Sequence, residues 1–234
     1  MLRRYACVLV FLFVVGPTYA ASSPWSGQAD FGMLTTRGNT QSKSMNGKLE
    51  VNYQKGRWHH LGSVQGIYTA ENGVTTGESY TVHGKSEYTL HKYDYIFGDL
   101  RYSSDRFSGY PQRISESTGV GWRLLHSSTQ TLDLETGAGA QQSKLSDGTR
   151  QNDAIVHLAG KYVWNFSKTA SFSQNVLVES GVSNTHIESV TAVQSRLYSH
   201  LGLKLSETVK HNSHVLPGLK KTDSYTAVSL VYNF

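Results

Sequence analysis

Residues 224–234 read SYTAVSLVYNF. Val228, Leu230, Tyr232 and Phe234 fall on one parity and Ala227, Ser229, Val231 and Asn233 on the other, the period-two signature of a strand. Chain ends are ordinarily frayed and polar, yet this one stops on an aromatic residue in mid-pattern. In lipid an unpaired strand edge leaves backbone N–H and C=O groups without partners, so a terminal strand of this kind is expected to close onto the first strand of its sheet.

The same period runs through the chain. Trp25, Gly27, Ala29, Phe31 and Met33 oppose Ser26, Gln28 and Asp30; Leu49, Val51 and Tyr53 oppose Lys48, Glu50 and Asn52; Tyr80, Val82 and Tyr88 oppose His83, Lys85 and Glu87. Ile96 and Leu100 against Asp99 and Arg101, Trp122 and Leu124 against Arg123, and Leu132 and Leu134 against Asp133 and Glu135 continue it. Helical spacing is sustained nowhere. The connections alternate between longer stretches, such as TAENGVTTGES, SSDRFSGYPQ and KHNSHVLPGLKKT, and tight ones, such as QKGR and HKYD. An even strand number, segments of about ten residues and elaborate loops at one end only are the marks of a transmembrane antiparallel up-and-down β-barrel, here of about 12 strands. A soluble β-sandwich would alternate too, and alternation alone leaves open which face meets which solvent. The aromatic residues favour lipid: Trp25, Tyr53, Trp58, Tyr88, Trp122, Tyr162, Trp164 and Tyr232 fall near the turn ends of their strands and Tyr68, Tyr80 and Tyr102 near the loop ends, as two interfacial girdles.

At the other end, Arg3 and Arg4 precede an apolar run from Ala6 to Val15, then Pro17 and small residues around Ala20 and Ala21. This is the layout of a cleaved secretory signal peptide, residues 1–21, ahead of a barrel domain over 22–234. Cys7, the only cysteine, lies inside that leader, so no disulfide or thiolate metal site is expected in the exported chain. The 22 basic and 17 acidic residues are interspersed rather than clustered, which argues against a nucleic-acid partner.

WSGQADFGMLTTRGNTQSKSMNGKLEVNY, RYSSDRFSGYPQRISESTGVGWRLL, TLDLETGAGA, SFSQNVLVESG and the C-terminal stretch from KHNSHVLPGLKKT onward resemble the YdiY-like family of salt-induced outer-membrane proteins of unknown function. The resemblance covers essentially all of the exported chain. It implies a barrel of the bacterial outer membrane, with lipid and lipopolysaccharide as surroundings and the barrel-assembly machinery as partner during insertion. It carries no catalytic, cofactor-binding or metal-binding residue to transfer. Val228, Leu230, Tyr232 and Phe234 resemble the C-terminal signature that the assembly machinery reads.

The polar parity assigns Asp30, Lys48, Glu50, His83, Lys85, Glu87, Asp99, Arg101, Arg113, Arg123, Asp133, Glu135, His157, Lys161, Glu188, Arg196 and Lys204 to the lumen. A twelve-stranded barrel is wider than the eight-stranded kind that side chains fill and narrower than open sixteen-stranded porins. Both a lumen closed by paired charges and a narrow polar pore fit these residues. Glu116 and Glu207 fall on the lipid parity, toward loop ends where charge costs little, or mark a register slip. His126 with Ser128 and His211 with Ser213 have a spacing that could bring base and nucleophile to one face, but polar residues are expected in those connections anyway, and no enzyme is expected. Gly137–Ala140, GAGA, lacks the strand–turn–helix setting of a phosphate loop and reads as room made in a crowded wall. Lys144, Arg150, Lys220 and Lys221 place positive charge at the loop side, suited to lipopolysaccharide phosphates. The expected assembly is a monomer without cofactors.

Overall fold

The computed structural model describes residues 23–36 and 42–234; the expected export leader lies outside them. Twelve strands follow one another: β1 (Trp25–Thr36), β2 (Ser42–Lys55), β3 (Trp58–Glu71), β4 (Val74–Thr89), β5 (Asp94–Asp105), β6 (Gln112–His126), β7 (Gln130–Lys144), β8 (Arg150–Trp164), β9 (Ala170–Ser180), β10 (Thr185–Tyr198), β11 (Leu201–Asn212) and β12 (Thr222–Asn233). Each pairs with its neighbours in sequence, and β12 closes on β1. All ladders are antiparallel, so every strand edge is used, the condition for crossing a bilayer with sheet.

The closing ladder explains the terminal pattern. Gln28 to Phe31 pair with Asn233 to Leu230, and beyond them Gly27 and Phe234 exchange two backbone hydrogen bonds of 2.8 and 3.0 Å. The last residue is thus a member of the seam, and its ring lies over Gly27, where a Cβ would collide with it.

The two faces have the polarity of a membrane protein. Val64 and Leu230 are each 52% exposed, whereas Glu179 is 1% and His157 2% exposed. Leu49, Val64 and Val82 lie side by side on the outer face of β2, β3 and β4, and an apolar wall of this extent has no place on a water-soluble monomer. Rings meet along the turn-side rim, Trp25 with Tyr53 at 4.6 Å and Trp58 with Tyr88 at 4.9 Å, and on the loop side Tyr80 lies 5.9 Å from Tyr102. Both girdles stand where the sequence places them. Val64→Arg, in mid-wall, is expected to destabilise the barrel in lipid vesicles by about 2–4 kcal/mol, read from denaturant unfolding.

Two expectations change and a third holds. The β3–β4 connection, read as a long loop, is a two-residue turn in which Asn72 (φ 49°) and Gly73 (φ 80°) both take left-handed conformations, the usual requirement of a tight hairpin that follows strand twist. Long and short connections therefore do not alternate strictly. The register beside Glu116 and Glu207 shows no slip: Glu116 stands opposite Leu100 and Ala140, Glu207 opposite Thr191 and Thr226. The irregularities fall elsewhere, at Thr69/Ala70, Arg123/Leu125 and Arg196/Tyr198. Gly137 and Gly139 do make room: a Cβ on either would press on the backbone of Thr118 or Glu116 across the β6–β7 ladder.

Candidate functional site

The alternation turns one side chain in two from every strand into the lumen, where two zones form. On the turn side a cavity of about 620 Å³ reaches the turns themselves, with Arg57, Lys92 and His126 among its lining residues. Its wall is a network of paired charges. Lys85 bonds Glu135 and stands 3.3 Å from Glu87. Glu135 also accepts a 2.6 Å hydrogen bond from the Tyr95 hydroxyl. Glu87 is shared further by His59 at 3.2 Å and Arg123 at 3.6 Å. Lys204 donates to Asp30 at 2.8 Å, Lys48 lies 2.8 Å from Glu50, and His83 lies 2.6 Å from Asp99. Desolvated carboxylates of this kind are stable only when paired, and each of these has a basic or hydrogen-bonding partner on its own or a nearby strand.

The loop-side zone is filled. Arg101 on β5 meets Glu188 on β10 at 3.5 Å, and Arg113 on β6 donates to Asn212 on β11 at 2.8 Å. In a ring of twelve strands these partners stand five strands apart, nearly face to face, so both bonds cross the lumen. Asn212 also bonds Asn184 and His186, each at 3.1 Å, and Gln141 donates to Glu179 at 3.1 Å. The β5–β6 loop folds inward over this layer: the Tyr110 ring lies 4.3 Å from the Arg113 guanidinium, and its hydroxyl donates to the His214 carbonyl across the mouth. The space left among these groups is about 30 Å³, room for about one water.

Asp30, Lys48, Glu50, His83, Lys85, Glu87, Asp99, Arg101, Arg123, Asp133, Glu135, Lys161, Glu188 and Lys204 all line the turn-side cavity, as does His157. Arg113 belongs to the loop-side layer. Arg196 does not join them. It lies exposed at the β10 turn end, beside a bulge, where its guanidinium donates to the Lys168 carbonyl at 2.5 Å. The sequence reading also missed His59, Glu179, His186 and Lys210. Lys210 opens the polar stretch KHNSHVLPGLKKT, which reads as loop, whereas β11 continues to Asn212. Glu179 shares its parity with the buried, apolar Leu177, which removed the contrast between faces.

His211 and Ser213 each bond elsewhere. The Ser213 hydroxyl bonds Asn184 and the Thr185 amide, while His211 Nδ1 lies 2.8 Å from the Thr222 hydroxyl. Lys144 and Arg150 face each other at the loop-side ends of β7 and β8, and Lys220 and Lys221 are exposed in the β11–β12 connection.

Known proteins share this architecture. The chain is 29% identical over 217 residues to the uncharacterized protein YdiY of Escherichia coli (strain K12), covering 92% of this chain and 85% of the relative. Among solved structures, the COG4313 outer membrane channel from Pseudomonas putida F1 superposes with a TM-score of 0.51 at 11% identity, over 94% of this chain and all of that one (100%). The NanC porin superposes with a TM-score of 0.50 at 9% identity, over 89% and 97% of the two chains. At such identities the likeness is one of fold. A family match covers residues 29–234, and the chain belongs to the family described as Protein of unknown function, DUF481.

Proposed function

We propose that this protein is a bacterial outer-membrane barrel acting as a narrow, restrictive polar pore, with a vestibule open at the turn side and a partition at the loop side that limits passage. The observation that carries this reading is the pair of bridges across the lumen, Arg101 to Glu188 and Arg113 to Asn212. Partners drawn from opposite walls narrow the water path between them, whereas a wide pore keeps its charges on separate walls. Metering of small polar solutes suits the link to salt or osmotic stress that the family resemblance implies. Insertion proceeds through the barrel-assembly machinery acting on Val228, Leu230, Tyr232 and Phe234. Lys144, Arg150, Lys220 and Lys221 meet lipopolysaccharide phosphates at the outer rim. The test is planar-bilayer conductance of the refolded wild type. Small, stable steps far below those of an open sixteen-stranded porin are expected; no steps at all, or porin-sized steps, would overturn the reading.

A further inference from the structure

Among the described residues, nine lysines and arginines line the turn-side cavity against seven carboxylates. Along the walls the two signs balance. Asp30, Glu50, Glu87, Glu135 and Glu188 each form a salt bridge with a lysine or arginine. Asp99 bonds His83, and Asp133 stands opposite Arg123 and Lys161 in its two ladders. The surplus therefore sits at the mouth, on Arg57 in the β2–β3 turn and Lys92 in the β4–β5 turn. With His126 at the end of β6 they occupy three successive turn-side connections, all exposed and all lining the cavity. Neither cation joins a salt bridge among the described residues, and Lys92 rests over its neighbour Tyr93 at 4.9 Å. The rest of that rim has the same sign: the turn-side connections also hold Lys55, Lys168 and His200, and their one acidic side chain, Asp94, lies 3.9 Å from His91.

We propose that this arc captures small oxyanions at the vestibule mouth and gives the lumen a preference for anions, the second part resting on the pore reading above. Fixed positive charge at the entrance of a low-dielectric cavity concentrates anions and repels cations, and rings of Arg and Lys are the lining that favours anions and phosphate. Arg57 can offer two parallel N–H donors to a phosphate or carboxylate, Lys92 a mobile point charge, and His126 a further N–H in either tautomer. The cavity of about 620 Å³ behind them takes the rest of the solute. Wall charges compete little for such an anion, because each of those cations already faces a carboxylate within the barrel.

The test titrates inorganic phosphate into the refolded barrel in nonionic detergent, where no lipid headgroup competes, at low salt, where exposed charges are screened least. Wild type is expected to bind at millimolar phosphate, and Arg57→Gln/Lys92→Gln to bind at least about threefold more weakly. Lys43→Gln/Arg106→Gln, which removes two exposed loop-side cations, is expected to bind as wild type does. In planar bilayers under a potassium chloride gradient, the wild-type reversal potential is expected to have the sign of chloride preference, and Arg57→Glu/Lys92→Glu to shift it toward potassium. Binding that depends on Arg57 and Lys92 in a barrel that passes no current upholds the capture site and overturns only the pore reading. No phosphate binding by wild type, equal weakening in both glutamine variants, or a wild-type current that prefers potassium overturns the inference.

Discussion

Refolded into planar bilayers, an Arg101→Ala/Glu188→Ala variant is expected to carry at least about ten times the wild-type current. The pair spans the lumen from β5 to β10, so removing both side chains takes away the bridge without leaving one charge buried alone, the outcome that makes single substitutions of buried pairs so damaging. Arg113→Ala added to this background is expected to raise the current again, because the second bridge, to Asn212, lies in the same layer. Lys204→Met/Asp30→Asn is the contrasting case. That pair joins strands only two apart and lies along the wall of the open cavity, so its loss leaves the current at the wild-type level. If the Arg101/Glu188 variant folds, by its heat-dependent mobility, and conducts no better than wild type, the barrier is not this layer.

Why these bridges could not be read from the chain follows from what alternation encodes. Parity tells which side of the wall a residue faces, and for Arg101, Arg113 and Glu188 it did so correctly. Which residue lies across from which depends on strand tilt and on the accumulated register of several ladders. Neither has a local signature, so Arg101 and Glu188, 87 residues apart, could not be paired by inspection. Ladder ends were less legible for a different reason: polar residues crowd both loops and lumen. Lys210 and His186 sit where a strand runs on past the point at which composition turns loop-like. The β3–β4 turn is the converse, since Asn72 and Gly73 carry a recognisable tight-turn pair inside a stretch that otherwise reads as loop. The terminal strand was the most legible element, because closure in lipid demands both an exposed apolar parity and a paired edge, and Phe234 supplies the final rung.

Gly119→Val is expected to prevent assembly of the barrel altogether, read as loss of the compact, heat-shifted electrophoretic species. Gly119 stands opposite Gly137 in the β6–β7 ladder, and a Cβ there would meet the carbonyl of Thr136 and the Cα of Gly137. Backbone cannot swing aside as a side chain can, so two central strands would have to separate or shift register, and a one-residue shift turns every side chain of a strand to the wrong solvent. That error would carry Asp133 and Glu135 on β7 into lipid, a cost well above the ~4 kcal/mol that marks the most damaging single substitutions. Gly62→Val tests whether the argument is about space or merely about glycine. Gly62 lies mid-wall on β3 opposite Gly84, with nothing within 4 Å of where its Cβ would stand, and valine suits an exposed strand position in lipid. It is expected to fold with stability within about 1 kcal/mol of wild type or above it. Failure of both variants would mean that the glycines serve strand bending in general, and success of both would mean that the β6–β7 wall can open to admit a side chain.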